Sequence, residues 1–239
     1  MTITAPHPTT APLVADRLCK SFAQGVEHPV QALDDVSVHI RPGQSVSVMG
    51  PSGSGKSTLL HLLAGIIRPD SGQVRLGADP VSVASDAVRS RLRRTWFGFV
   101  FQDGQLLAEL TAAENVALPL MLNGCRRPAA VAHATAWLHR LGLAGLETRR
   151  PGQMSGGQAQ RVAVARALVH SPAVVMADEP TGALDTATGA QVMQLLTEAT
   201  AQAGASLLVV THDQGVAAWC QRHLVILDGR LESDSGGAR

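Results

Sequence analysis

The residues with the clearest chemical potential lie at Gly50–Thr58, which read Gly-Pro-Ser-Gly-Ser-Gly-Lys-Ser-Thr. This order matches the phosphate-binding pattern GxxxxGK[ST]. Glycine adopts backbone angles that other residues rarely reach, so successive N–H groups of such a loop can point at one anion. Ser45–Met49 ahead of the loop alternates polar and apolar residues like a strand, and a leucine-rich helical run follows it. The pattern in this context predicts a nucleotide site and not a chance glycine-rich turn.

The polar residues of this loop have predicted parts in holding phosphates. The helix that starts here adds the positive end of its dipole. Lys56 supplies a mobile positive charge for the outer phosphates, and the Ser57 hydroxyl can ligate Mg²⁺. The predicted nucleotide contacts of the loop are Gly50, Ser52, Gly53, Ser54, Gly55, Lys56, Ser57 and Thr58.

A second chemical group follows the apolar run Ala173–Ala177, which suits a strand buried on both faces. The next residues are Asp178, Glu179 and Pro180. Asp178 is predicted to hold Mg²⁺ through water, as the equivalent acid does in phosphate-loop NTPases, and Glu179 to polarise the attacking water. The alternative is that these polar residues only end a strand. The presence of Lys56 in the same chain favours the catalytic interpretation.

Two further segments place polar residues where strands and helices begin or end. Leu207–Val210 repeats the buried-strand pattern and is followed by His212 after one threonine. Open α/β sheets bind ligands past the carboxyl ends of such strands. Met154–Gln158 opens a helix, and its Ser155 and Gln158 have the form of a capping box.

The hydrophobic periodicity divides the chain into β-rich, helical and α/β parts. Residues 103–150 have helical character and are predicted to form an insertion between two halves of an α/β core, with one apolar face that carries Ala134, Trp137, Leu138 and Leu141. Phe22 is placed in a polar loop that runs to Val30. Other strands are predicted at Leu13–Leu18, Val36–Ile40, Gln73–Leu76 and Phe97–Phe101.

The composition excludes several classes of protein. A net charge of +1 over 239 residues argues against a nucleic-acid binder with a broad basic face. The three cysteines, Cys19, Cys125 and Cys220, have no CxxC spacing, which favours reduced thiols over a disulfide frame or a metal site. No apolar run approaches the roughly 18–20 residues that cross a bilayer, and the N-terminus does not resemble a signal peptide. Any work at a membrane is therefore expected to go through a partner.

Arginines crowd residues 82–96, where Arg89, Arg91, Arg93 and Arg94 share one predicted helix. A run of charges of this kind usually faces solvent. The arginines are therefore predicted to form a solvated helix face, with contact to anionic lipid headgroups as the alternative.

Together these residues resemble one family closely, the ATP-binding cassette (ABC) ATPases, over residues 13–231. The resemblance is carried by Gly50–Thr58 as Walker A, Gln102 as the Q-loop glutamine, Met154–Gln158 as the signature, Val174–Glu179 as Walker B, Ala183–Asp185 as the D-loop and His212 as the switch histidine. The signature is the most specific of these motifs, because ordinary phosphate-loop proteins lack it. The family most often has Leu where Met154 stands, and this exchange conserves volume.

The resemblance implies a fold and a set of domains. The fold is α/β, with a RecA-like phosphate-loop NTPase core, an antiparallel β subdomain and an inserted helical subdomain. The expected arrangement is a disordered leader at 1–12, one ABC ATPase domain at 13–231 and a tail at 232–239. Within the domain, the core covers about 13–102 and 156–231, and the helical insert covers about 103–155.

The resemblance also implies a mechanism. Two copies of the chain would sandwich two ATP molecules with Mg²⁺, each ATP touching Walker A of one copy and the signature of the other (Ser155, Gly156, Gly157 and Gln158). His212 would contact the γ-phosphate, Gln102 would sense Mg²⁺ and the attacking water, and Asp185 would help to link the two sites. The family stacks adenine on an aromatic residue, often Tyr. This chain has no Tyr, so Phe22 is the candidate, with a core position as its alternative.

Within the family, the stretches Asp178–Asp185 and Asn115–Leu120 are similar to the lipoprotein-release, macrolide-efflux and peptide-antibiotic-resistance group. This similarity implies a motor that drives a separate multi-span permease for export, extraction or resistance to antimicrobial peptides. The expected location is cytoplasmic, on the inner face of the cell membrane through the permease, and no nucleic-acid partner is expected. The alternatives are an accessory ATPase of a soluble metabolic complex of the phosphonate-breakdown type, or a cell-division ABC ATPase. Repair or translation ATPases are disfavoured, because there is neither a long coiled-coil insertion nor a second cassette.

Overall fold

The computed structural model describes residues 11–22 and 29–236. Most of the predicted leader therefore lies outside the described residues. Ten strands and seven α-helices follow one another in the described part of the chain, with a 3₁₀ turn at Pro151–Gln153. The strands are β1 (Leu13–Phe22), β2 (Val30–Ile40), β3 (Ser45–Met49), β4 (Ser71–Leu76), β5 (Asp79–Pro80), β6 (Phe97–Phe101), β7 (Val174–Asp178), β8 (Ser206–Val210), β9 (Arg222–Leu227) and β10 (Arg230–Asp234). The helices are α1 (Lys56–Leu63), α2 (Asp86–Trp96), α3 (Ala112–Leu122), α4 (Arg127–Arg140), α5 (Gly156–Leu168), α6 (Thr186–Gln202) and α7 (Gln214–Ala217).

The strands form two sheets of different kinds. The smaller sheet has the order β2-β1-β4-β5 and is antiparallel throughout. The larger sheet has the order β10-β9-β3-β8-β7-β6, and its five strands from β9 to β6 run parallel. Only β10 pairs with its neighbour in the antiparallel sense. The larger sheet thus brings the carboxyl ends of β3, β8, β7 and β6 to one edge, although these strands are far apart in the chain.

The central strands β7 and β8 are apolar except for one terminal residue each, Asp178 and Ser206, because both faces of the larger sheet are covered. In β7, Val174 and Met176 pack into the core beside α1 and the antiparallel sheet. Val175 and Ala177 point to the opposite core, which is built with α3, α4, α5 and α6. This alternation between two cores explains why the run shows no polar residue before Asp178.

The predicted helical stretch forms two helices, α3 and α4, that pack on α5. Thr111 starts α3 with a capping box to Glu114. In α4 the predicted apolar face is confirmed, since Ala134, Trp137, Leu138 and the following Leu141 are all buried. Among the described residues, none of the helices combines the length and the apolar character needed to cross a membrane.

Three sequence-based assignments differ from the structure. Phe22 is the last residue of β1, opposite Val30 of β2, and not part of a loop, because the two strands pair further than their apolar pattern extends. Strand β4 begins at Ser71, two residues before the predicted start at Gln73. At the other end, β10 continues to Asp234 and so enters the segment predicted as a tail.

The arginines of α2 also differ from the prediction of a solvated face. Arg89 is buried, and its Nη1 donates to the Gly65 carbonyl oxygen at 3.1 Å. Arg93 donates to the same oxygen at 2.6 Å. Gly65 lies just past the carboxyl end of α1, so both cations stand at the negative end of that helix. The prediction holds only for Arg91 and Arg94, which are exposed.

Candidate nucleotide site

The phosphate loop requires glycine at two positions because the backbone approaches other segments closely. Gly50 and Gly55 have φ angles of 148° and 102°. A Cβ atom on Gly50 would lie 2.1 Å from the carbonyl oxygen of Ile226, and one on Gly55 would lie 2.2 Å from that of Ala32. Any side chain at either position would collide with the backbone. The loop conformation is therefore determined by its sequence and by the strands beside it.

Lys56 lies at the first position of α1, and its side chain is nearly buried. Its ammonium Nζ donates to the carbonyl oxygens of Gly50 and Pro51 at 2.9 and 2.7 Å, which draws the cation over the loop. Gly55 is the N-cap of α1, and no side chain caps the helix. Helix dipole and lysine charge therefore act in the same place, which favours an anion there.

The two predicted magnesium ligands of Walker A and Walker B meet in the structure. Ser57 Oγ donates to Asp178 Oδ1 at 3.3 Å. Burial raises the pKa of the Asp178 carboxyl, and the nearby Glu179 charge raises it further, against the opposing hydrogen bond from Ser57. A bound cation would offset the cost of the ionised form. Mg²⁺ commonly takes one or two protein oxygens and completes its shell with phosphate and water, so this pair fits the ion.

Glu179 stands one residue past β7 in a left-handed backbone conformation, with φ of 47°. Its Oε1 accepts hydrogen bonds from the His212 backbone N–H at 3.0 Å and from His212 Nδ1 at 2.7 Å. Its Oε2 accepts from the Thr211 hydroxyl at 3.0 Å. A carboxylate only accepts hydrogen bonds, so the Nδ1 atom carries the proton. The end of β8 thus holds both oxygens of the predicted catalytic carboxylate.

A cavity of about 600 Å³ connects these groups. It is lined by the loop residues Pro51, Ser52, Gly53, Gly55, Lys56, Ser57 and Thr58, together with Ala32, Glu179, Val210 and His212. Ser54 is buried behind the loop, and its hydroxyl has no hydrogen-bond partner among the described residues. The lysine charge, the start of α1 and the Glu179 carboxylate thus converge on a space large enough for a polyphosphate.

Gln102 and Phe22 are among the predicted site residues that lie outside this cavity lining. Gln102 follows β6 directly, and its side chain packs on Gly182, where an added Cβ atom would be 2.9 Å from Gln102 Nε2. Phe22 is 36% exposed, and the Lys20 ammonium lies 5.5 Å from its ring centroid. That exposure is incompatible with the alternative of a core phenylalanine.

The predicted signature forms the start of α5, where the capping box is confirmed. Ser155 Oγ accepts from the Gln158 N–H at 3.3 Å, and Gln158 Oε1 accepts from the Ser155 N–H at 2.9 Å. Gly157 faces Thr188 so closely that a Cβ atom would be 2.4 Å from its methyl group. Ser155, Gly156, Gly157 and Gln158 do not line the cavity described above.

Asp185 of the predicted D-loop joins this region from the next helix. Its Oδ1 accepts from the Thr188 N–H at 3.0 Å and so caps α6. Hydrogen bonds from Thr188 lower the pKa of the Asp185 carboxyl. Because Thr188 also packs on Gly157, the start of α6 that Asp185 caps is in contact with the start of α5.

Sequence reasoning assigned no role to Thr211, although its hydroxyl holds Glu179. Thr211 is almost fully buried, and its Oγ1 also accepts from the Asp213 N–H at 3.1 Å. Its position at the end of an apolar strand, directly before His212, is the signal that could have identified it, because a buried hydroxyl needs a partner.

A glycine-rich loop that leads into a helix, with a serine and a strand-end aspartate beside it on a parallel sheet, defines a phosphate-loop NTPase. The chain matches the family model described as ABC transporter over residues 33–182. This match covers more than half of the chain, and the chain therefore belongs to the ABC transporter family. The predicted fold and the predicted class, an ATP-hydrolysing cassette of this family, are confirmed.

Similar proteins agree with this assignment. The chain is 43% identical over 232 residues to the lipoprotein-releasing system ATP-binding protein LolD of Bordetella pertussis. This match covers 97% of this chain and the whole length of the relative. It is 47% identical over 210 residues to the macrolide export ATP-binding/permease protein MacB of Rhodospirillum rubrum, over 88% of this chain but only 32% of that protein's length. A solved dimeric ATP-binding cassette, MJ0796 bound to ADP and Pi, superposes with a TM-score of 0.85 at 37% identity and covers 93% of this chain and 97% of that one.

Proposed function

We propose that two copies of this chain close head to tail around two ATP molecules and drive a separate membrane permease for export or extraction. The observation that carries the proposal is that the starts of α1 and α5 lie apart within one chain. The start of α1 lines the cavity, whereas Ser155 and Gly156 at the start of α5 are exposed and outside its lining. A second copy would bring the start of α5 to the cavity of the first.

Two kinds of relatives support this assembly. The solved cassettes that superpose on the chain are described as dimeric. In macrolide export proteins the ATP-binding part and the permease share one chain, and this chain matches about a third of that length. The lipoprotein-releasing relative is named as the ATP-binding protein of a system and is matched over its whole length, which supports a permease on a separate chain, and we place this protein peripherally on the cytoplasmic face of the membrane. The lipoprotein-releasing relatives support extraction as the direction of work.

Within this assembly the residues of the cavity have distinct roles. Lys56 and the loop N–H groups would bind the phosphates, and Ser57 and Asp178 would hold Mg²⁺, which neutralises phosphate charge when bound. Glu179 would orient and polarise the attacking water, and His212 would pass from Glu179 to the γ-phosphate.

Three residues outside the cavity lining complete the proposed machinery. Gln102 would swing from Gly182 towards the metal. Phe22 would stack on adenine from the end of β1, with its exposed face. Asp185 would join the two sites across the dimer.

A groove of about 600 Å³ suits the permease contact. It lies between α2, β6, α3 and α5 and is lined mainly by apolar side chains, among them Ile66, Phe99 and Leu122. Arg93, Arg94 and Arg166 also line it, and no Asp or Glu of the described residues does. We assign to it a short permease helix that carries apolar residues and at least one carboxylate, because such a helix matches both the shape and the charge.

The head-to-tail arrangement is tested by mixing two defective copies. In one copy, Lys56→Ala removes the positive charge that would bind the phosphates. In the other copy, Ser155→Arg blocks the exposed start of α5. A mixed dimer would contain one intact composite site, so ATP hydrolysis should reappear on mixing, whereas each variant alone should be inactive. If the mixture stays as inactive as its components while each variant remains folded, the two helix starts do not act on a shared ATP.

The permease contact is tested at Leu122, which is 58% exposed at the end of α3 in the groove. Leu122→Asp should leave ATP binding unchanged, because this side chain is outside the core and the cavity. It should lower the amount of protein recovered with permease-containing membranes by roughly tenfold. Such a change corresponds to a loss of about 1–2 kcal/mol in the free energy of binding to the permease. Val83→Asp is the matched control, since Val83 is 69% exposed and outside the groove lining. Equal recovery of both variants with membranes would refute the groove assignment.

A further inference from the structure

A buried glutamine on α5 contacts two backbone segments of the site. Gln160 is 3% exposed. Its Nε2 donates to the Phe101 carbonyl oxygen at 2.8 Å and to the Pro180 carbonyl oxygen at 2.6 Å. An amide nitrogen has two hydrogens, so both are used here.

These two carbonyl groups flank the residues proposed for hydrolysis. Phe101 ends β6 and is followed by Gln102, and Pro180 follows Glu179. In the sheet, β6 and β7 are neighbours, with Phe101 opposite Asp178. The Gln160 amide therefore connects the ends of two adjacent strands at the point where each chain leaves the sheet. Without this donor, the Pro180 oxygen would lose its hydrogen bond in a buried position, whereas the Phe101 oxygen would keep the bond from the Gly104 N–H at 3.0 Å.

The same helix holds the far end of the Gln102 segment. Arg166, six residues further along α5, donates from Nη2 to the Gly104 carbonyl oxygen and from Nη1 to that of Gln105, both at 2.7 Å. Residues 101–105 are thus anchored at both ends by side chains of α5. The helix that starts with the signature therefore sets the position of the segment that carries Gln102.

We propose that Gln160 is a positioning residue for ATP hydrolysis, which holds the backbone of Gln102 and Glu179 in register with each other and with the start of α5. This proposal rests on the roles proposed above for those two residues. Gln160 is not among the residues that line the nucleotide cavity. Its loss should therefore affect turnover more than nucleotide affinity, because displacement of catalytic groups by about 1 Å can cost on the order of 100-fold in rate.

The test is Gln160→Met, which preserves the approximate volume but removes both donors. The full chain should show a kcat reduced by about 10- to 100-fold per nucleotide-competent site, with a KM for ATP within about twofold of the unmutated value. The Mg²⁺ concentration for half-maximal activity should rise, because Gln102 is displaced. If Gln160 only stabilised the fold, Gln160→Met would lower the number of competent sites, but kcat per site and the Mg²⁺ dependence would not change.

Two further variants define the control and the rescue. Gln194→Met makes the same exchange at an exposed position of α6, where the side chain donates a hydrogen bond to Glu198, and it should leave kcat unchanged. Gln160→Lys restores a donor of similar reach and should recover a substantial part of the turnover. A Gln160→Met enzyme with unmutated kcat, or equal losses in the Met and Lys variants, would overturn the proposal. Glu179→Gln measured in parallel separates the two hypotheses, since its retained activity would refute the role of Glu179 itself.

Discussion

Glu179→Gln should abolish ATP turnover while ATP binding is retained and the ATP-bound dimer persists. The amide has the shape of the carboxylate, so it can still accept from the His212 N–H and contact the Thr211 hydroxyl. It lacks the negative charge that polarises water, and general-base contributions are typically about 10²- to 10⁴-fold in rate. The measurement is steady-state phosphate release, together with the mass of the protein in solution with and without ATP.

The matched control for this prediction is Glu198→Gln. Glu198 is an exposed carboxylate of α6 that accepts a hydrogen bond from Gln194, and its neutralisation should leave turnover unchanged. Hydrolysis by Glu179→Gln at a rate near that of the unmutated protein would contradict the assignment of Glu179. Loss of ATP binding in this variant would also contradict it, because the role proposed here is chemical and not one of affinity.

Lys56→Ala should remove most of the affinity for ATP. Lys56 is one of only two lysines in the chain, and it is the one whose ammonium is drawn over the phosphate loop by two carbonyl oxygens. A hydrogen bond to a charged group contributes about 1.5–3 kcal/mol, which corresponds to a Kd that is higher by roughly 10- to 150-fold. Titration of the purified protein with ATP and Mg²⁺ measures this change directly.

Arg75→Ala is the control for the loss of one positive charge. Arg75 is an exposed residue of β4 outside the nucleotide cavity, so its removal tests whether net charge alone affects binding. Its Kd for ATP should match that of the unmutated protein. An ATP titration of Lys56→Ala that also matches it would contradict the assignment of the loop.

The sequence alone determined those features that arise from short stretches of chain. The phosphate loop could be predicted because its glycines, its lysine and the following helix are consecutive, and their conformations depend mainly on one another. The capping box of Ser155 and Gln158 is local for the same reason. The apolar runs of β7 and β8 could also be predicted, since burial on both faces leaves no polar position within them.

The tertiary structure alone decided which distant residues meet. Ser57 and Asp178 are 121 positions apart, and Thr211 and Glu179 are 32 apart, yet each pair forms a hydrogen bond. The sequence predicted that Arg89 and Arg93 face solvent, because hydrophobic periodicity does not reveal that both side chains contact the end of α1. For Gln160, likewise, the sequence shows only a polar residue on an apolar helix face and not which groups it contacts.

The physical reason is that a residue pattern records burial and local backbone preference, whereas contacts between segments depend on the order of strands in the sheet. The order β3-β8-β7-β6 places the phosphate loop, His212, Glu179 and Gln102 at one edge. The sequence therefore determined the chemical groups of this ATPase and the elements that carry them. Their pairing, and the side chains that hold them in place, followed only from the packed sheet.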